Sequence, residues 1–181
     1  MATTLNTTRL ILRSIQEADL VAFTQIVANP RVAIPAGFHP VHNEFEARFL
    51  MRQTIDQHWI WGVTLPDDDQ IIGTVGLYGR TGQDGALIHG ERDLGYMLNE
   101  SFWGNGYMTE AVMAILAYCF EQGERAVGGP YFFGHERSAH RYKTAGLQYE
   151  HEDDHSVTEC FASGKRERIS VQHTNDSECH R

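Results

Sequence analysis

Hydrophobic positions follow two rhythms along this chain, and the rhythm changes just past its middle. Leu10-Ile11-Leu12-Arg13 reads as a short opening strand, and Ser14 precedes a helical pattern from about Glu17 to Val27. Leu20, Phe23, Ile26 and Val27 form its apolar set, and Asn29-Pro30 reads as its end. Phe45, Phe49, Leu50 and Ile55 predict a second helix over Asn43 to Ile55. Trp59 to Thr64, Ile71 to Tyr78 and Ile88 to Leu98 read as strands, with turns at residues 65–69 and 81–85 between them. Gly73 and Gly76 leave room for a neighbour to come close. From Gly106 the period becomes helical: Met108, Ala111, Val112, Ile115, Leu116, Cys119 and Phe120 share one face, and Gly123 is placed to end it. An aromatic strand (Val127 to Phe133), a short helix (Glu136 to Ala145) and two weaker strands near residues 147–161 and 166–173 follow. Hairpin-linked strands around one strand-helix-strand unit predict an α+β domain with a mixed sheet. At 181 residues a single domain over residues 1–173, with a frayed tail at 174–181, is expected.

Composition narrows the function only a little. The 24 acidic and 15 basic side chains give a net charge of -9, which opposes nucleic acid and anionic membranes and favours cationic partners such as amines. Cys119, Cys160 and Cys179 form no CxxC pair; Cys119 falls in an apolar helical run and reads as an inert core thiol. The N-terminus MATTLNTTRL has no secretory pattern, and no apolar run approaches the ~18 residues a membrane helix needs. A cytoplasmic protein, monomer or homodimer, is the expectation. HEDDH (151–155) is a literal H-E-x-x-H string, which holds zinc when it lies on a helix. Its flanks lack a helical apolar stripe, so a turn between strands, and no metal, is expected.

The stretch SFWGNGYMTEAV (101–112) offers more chemistry. Two glycines, Gly104 and Gly106, stand between a strand and the mouth of a long helix. They let backbone N–H groups converge, and the first helical turn adds unpartnered N–H groups and the positive end of the helix dipole. Such a turn suits phosphate or pyrophosphate, or serves simply as a tight turn that binds nothing. The chain has no P-loop string, and Thr109 stands where a dinucleotide fingerprint would have its third glycine.

Four stretches, TTRLILRSIQEADLVAFTQIVANPRV (7–32), IIGTVGLYG (71–79), DLGYMLNESFWGNGYMTEAV (93–112) and HERSAHRYKTAGL (135–147), resemble the GNAT superfamily of acetyl-CoA-dependent N-acetyltransferases. The nearest-looking branch acylates ribosomal-protein N-termini. The resemblance implies a GNAT-like, mostly antiparallel sheet with a splayed strand pair, flanked by helices. The family's phosphate loop maps onto Trp103, Gly104, Asn105, Gly106, Tyr107 and Met108, so residues 104–109 would hold the CoA pyrophosphate. Trp103 replaces a Gln or Arg, and Met108 a small residue. Tyr96, Met97 and Leu98 fall on the strand along which pantetheine lies, and the Leu98 N–H would polarise the thioester carbonyl. Asp93 falls on the acidic position expected to act as general base, directly or through water, with Glu91 two residues earlier on the same face. Ser138 and Tyr142 are both candidates to protonate the departing thiolate, with a slight preference for Ser138. His135 replaces the asparagine that bonds pantetheine and keeps one donor and one acceptor when neutral.

The acceptor is less defined. The resemblance implies acetyl-CoA and an amine as partners, most simply a protein N-terminal α-amine. The acidic EHEDDH (150–155) suits a basic peptide or polyamine, or is a solvated turn, and Phe38, His39, Trp59 and Trp61 are candidates to line the pocket, though aromatics more often fill core. The alternatives are a small-molecule amine acceptor and a non-catalytic acyl-CoA-binding module.

Overall fold

The computed structural model describes residues 3–57, 59–82, 84–132, 148–153 and 166–172. Its strands are β1 (Leu5–Asn6), β2 (Ile11–Arg13), β3 (Ile60–Leu65), β4 (Asp68–Thr81), β5 (Leu87–Leu98), β6 (Ala126–Phe132), β7 (Gln148–Asp153) and β8 (Arg166–Gln172). The helices are α1 (Leu20–Val27), α2 (Pro30–Ala36), α3 (Glu44–Ile55) and α4 (Tyr107–Glu121). The strands form one sheet in the order β1-β2-β3-β4-β5-β6-β8-β7. Neighbours run antiparallel except β5 and β6, which α4 connects as a parallel crossover. The mixed, mostly antiparallel α+β sheet expected from the sequence is present.

Alternation along the strands sends side chains into two cores. On one face Leu12, Trp61, Val63, Val75, Leu77, Leu94 and Leu98 pack against Met108, Ala111, Val112, Ile115, Leu116 and Cys119 of α4. On the other, Ile60 and Ile71 meet Leu20, Phe23, Ile26 and Val27 of α1 and Met51 of α3. Burial, with the nearby charge of Glu124 adding to it, pushes the Cys119 thiol up to about 12, as befits an inert core thiol. No helix among the described residues is long and apolar enough to cross a membrane.

Two expectations are sharpened and one is corrected. Asn29-Pro30 does end α1, but it also starts α2: the Asn29 side chain accepts from the Arg31 N–H, and proline is well tolerated in a first helical turn. Trp61 is 1% exposed, its indole donating to the Thr3 carbonyl (2.7 Å), so it is core and not pocket lining. Trp59 likewise packs against Tyr118, with the Arg92 guanidinium over its ring at 4.7 Å. Finally, His151–Asp153 are not a turn. They run in β7, opposite Arg168, Glu167 and Arg166 of β8, whereas the H-E-x-x-H zinc site requires a helix. Asp154 and His155, the predicted 136–145 helix and the 174–181 tail lie outside the described residues.

Gly73 fits its place closely. A Cβ there would strike the Met97 carbonyl and the Leu98 backbone on β5. Gly73→Ala is therefore expected to cost about 1–3 kcal/mol, read as a lower urea midpoint at unchanged m. At Gly76 the added methyl would meet the buried Ile60 side chain and the Trp59 carbonyl, so Gly76→Ala is expected to be destabilising too.

Candidate active site

The two parallel strands part company early. Glu91, Arg92 and Asp93 of β5 register with Ala126, Val127 and Gly128 of β6. Beyond that point β5 continues to Leu98 against β4, and β6 continues to Phe132 against β8. The pairing between them thus ends at Asp93, and a gap opens. Asn99 donates its N–H to the Ile72 carbonyl (2.8 Å) and the Met97 carbonyl crowds Gly73, so the odd-numbered backbone groups face β4. By strand alternation the Tyr96 and Leu98 backbone faces the gap. The Leu98 carbonyl accepts the Trp103 indole N–H at 2.8 Å, which ties the end of β5 to the following turn.

The same alternation puts Glu91, Asp93 and Met97 on the α1–α3 side of the sheet, with the Tyr96 and Leu98 side chains on the α4 side. The two candidate carboxylates take different places along β5. Glu91 accepts from Arg80 at 2.9 Å. Asp93 stands at the vertex of the gap, directly across from Tyr78 on β4. A Cβ on residue 95 would come within 2.8 Å of the Tyr78 ring, so the ring lies over Gly95 and would have to shift for a larger residue. Although 39% of Tyr78 remains exposed, its hydroxyl end is desolvated and its pKa is pushed up to about 12. It therefore stands beside Asp93 as a neutral phenol at any working pH.

At the end of β5 a 3-10 turn (Glu100–Phe102) leads into the glycine pair. Gly104 (φ 86°) and Gly106 (φ 76°) are both left-handed, which requires glycine regardless of space. The Asn105 side chain donates to the Phe102 carbonyl at 3.1 Å, closing the turn. Gly106 is the N-cap of α4, and no side chain caps the helix. Its first N–H groups, on Tyr107, Met108 and Thr109, with the dipole behind them, therefore suit a pyrophosphate. Met108, which stands where the family has a small residue, is 1% exposed and points into the core, so its size takes no room from a ligand.

The fold and the loop agree with the comparisons. The family profile for the acetyltransferase (GNAT) domain matches residues 9–148. This chain belongs to the GNAT acetyltransferase family. The uncharacterized N-acetyltransferase YoaA of Bacillus subtilis is 28% identical over 153 residues, covering 81% of this chain and 83% of YoaA. RimL, a ribosomal-protein alpha-N-acetyltransferase solved in complex with coenzyme A, superposes with a TM-score of 0.75 at 16% identity, over 94% of this chain and 98% of its own. A ribosomal-protein alanine acetyltransferase from Vibrio fischeri superposes with a TM-score of 0.71 at 20% identity, over 97% and 98%. The protein is thus a GNAT N-acetyltransferase, an acyltransferase of a family that uses acetyl-CoA.

Within this GNAT fold, Asp93, Tyr96, Met97, Leu98 and the 103–109 loop follow one another along the β5 side of the β5–β6 gap, from its vertex to its far end. His135, Ser138 and Tyr142 lie outside the described residues. Phe38 packs half-buried against the α1–α3 core, and His39 is exposed. Sequence reading missed two arginines that brace the loop. Arg31 of α2 pairs with Glu100, which also accepts from Asn29 (3.0 Å), and its guanidinium lies 5.5 Å from the Trp103 ring centre. Arg9, from the segment before β2, reaches the Asn105 carbonyl at 2.9 Å. The remote sequence position of both arginines hid them; nothing local to the loop announces either.

Proposed function

We propose that this GNAT enzyme moves the acetyl group of acetyl-CoA to a protein N-terminal α-amine. The observation that carries the reading is the strand pair opening at Asp93, with the Leu98 amide facing the gap and the uncapped α4 at its far end. In this reading residues 104–109 hold the pyrophosphate, and the Tyr96–Leu98 backbone lines the pantetheine arm. The amine nitrogen attacks the thioester carbonyl carbon, the Leu98 N–H stabilises the developing oxyanion, and the carbon–sulfur bond breaks. Asp93 takes the proton the amine loses, directly or through water. Ser138 or Tyr142 supplies one to the thiolate, and His135 bonds pantetheine.

An α-amine, with a pKa of about 8, needs far less help from such a base than a lysine at about 10.4. The likeness of the fold to two ribosomal-protein acetyltransferases supports the same acceptor class. Thiol release from acetyl-CoA, followed with peptides bearing a free N-terminus, the same peptides blocked, and a panel of small amines, tests the assignment. Turnover on free but not blocked peptides is expected. Turnover confined to small amines would replace the acceptor, and acetyl-CoA binding without thiol release on any amine would make this a binding module.

A further inference from the structure

A carboxylate follows directly on the loop that the proposed function gives to pyrophosphate. Glu110 is the fourth residue of α4, one turn from Gly106, on the rim of an open depression that Thr7, Thr8, Arg9, Gly106 and Thr109 also line. A carboxylate near a helix N-terminus is favourable in itself, but it uses up the positive potential on which an anion site depends. Next to a bound pyrophosphate its charge would be repulsive.

Three groups from the N-terminal segment converge on that carboxylate. The Thr7 hydroxyl donates to Oε1 at 2.6 Å and the Arg9 backbone N–H donates to the same oxygen at 2.9 Å. The Arg9 guanidinium meets Oε2 through both Nε and Nη2, each at 2.7 Å. Its remaining Nη1 donates to the Asn105 carbonyl between the two glycines, and the guanidinium lies 5.0 Å from the Tyr107 ring centre. Partial burial pushes the Glu110 carboxyl up, but the bonds from Thr7 and Arg9 outweigh it and hold the group below the ordinary carboxylate range. Glu110 is therefore ionised when the enzyme works, and Arg9 is the cation beside it.

We propose that Arg9 is a positioning residue for cofactor binding: it pins the 104–106 turn through Asn105 and cancels the Glu110 charge at the phosphate seat. The inference rests on the acetyl-CoA reading of that loop. It makes a signed prediction that ordinary structural support does not. Removing Arg9 leaves an uncompensated carboxylate beside the phosphates, so removing Glu110 as well should restore much of what was lost.

The test is CoA binding by calorimetry, with melting curves, for the full-length protein and for R9A, R9K, E110Q and the R9A/E110Q double variant. Loss of charge-assisted bonds of this kind predicts that R9A binds CoA roughly tenfold or more weakly. Its kcat at saturating acetyl-CoA should stay within about threefold, because Arg9 acts on binding. R9K, which keeps the charge, should lose less and guards against a fold defect in R9A. The double variant should bind more tightly than R9A, and E110Q at least as tightly as wild type at low salt. If R9A binds like wild type, if the double variant is no better than R9A, or if affinity merely tracks melting temperature across the set, the proposal is overturned. If wild type itself fails to bind CoA, the cofactor reading falls and this inference with it, an outcome distinct from the other three.

Discussion

Replacing Gly106 with glutamate is expected to lower affinity for CoA by two to three orders of magnitude, with the sheet still folded. Two effects add. Gly106 sits at φ 76°, where a residue with a Cβ carries about 1–3 kcal/mol of strain. The new carboxylate would also enter the phosphate seat, and like charges at about 4 Å repel by several kcal/mol at an effective dielectric near 20. The atom nearest an added Cβ is Arg9 Nη2 at 3.5 Å, so the new group would compete with Glu110 for the same cation. One of the two carboxylates would then face the phosphates without it. Gly106→Gln separates the terms, since it keeps the strain and omits the charge. Calorimetric titration of CoA into the two variants should show Gln binding clearly better than Glu. Equal losses would assign the whole effect to backbone strain.

The second large effect is expected at Asp93. As general base, Asp93→Asn should lower kcat by about 10² to 10⁴, with the KM for acetyl-CoA little changed. The variant's rate should then climb with pH, as the acceptor amine increasingly loses its proton to solvent instead of to the enzyme. Glu91→Gln should leave kcat within a few-fold of wild type, because Glu91 lies two residues before the vertex of the gap, where β5 is still paired with β6. A steady-state pH profile of the two variants decides between the carboxylates. A larger loss for Glu91→Gln than for Asp93→Asn would exchange their roles.

What the sequence revealed and what it hid divide along physical lines. Periodicity located α4 and the central strands, because those elements bury one continuous face each and repeat their apolar positions accordingly. The glycine turn was legible because two left-handed positions leave little choice of residue. Asn29-Pro30 was ambiguous by nature: the same pair that stops one helix begins the next. Met108 looked like a misfit at the loop until the helix direction turned its side chain inward, which spacing within a motif does not reveal. Trp61 could not be told from a pocket residue, since aromatic character is common to cores and sites. Arg9 and Glu110 lie 101 positions apart, and no local pattern joins them. The choice between Glu91 and Asp93 depended on where two strands stop pairing, a fact of three-dimensional register.

The central claim is that CoA lies in the β5–β6 gap with its pyrophosphate on the first turn of α4. Amide-resolved nitrogen–proton NMR, recorded while CoA is added, tests it most directly. The account predicts that the amides of Leu98 and of residues 104–109 shift most and saturate together. Shifts concentrated elsewhere on the protein, with those amides unmoved at saturation, would contradict it.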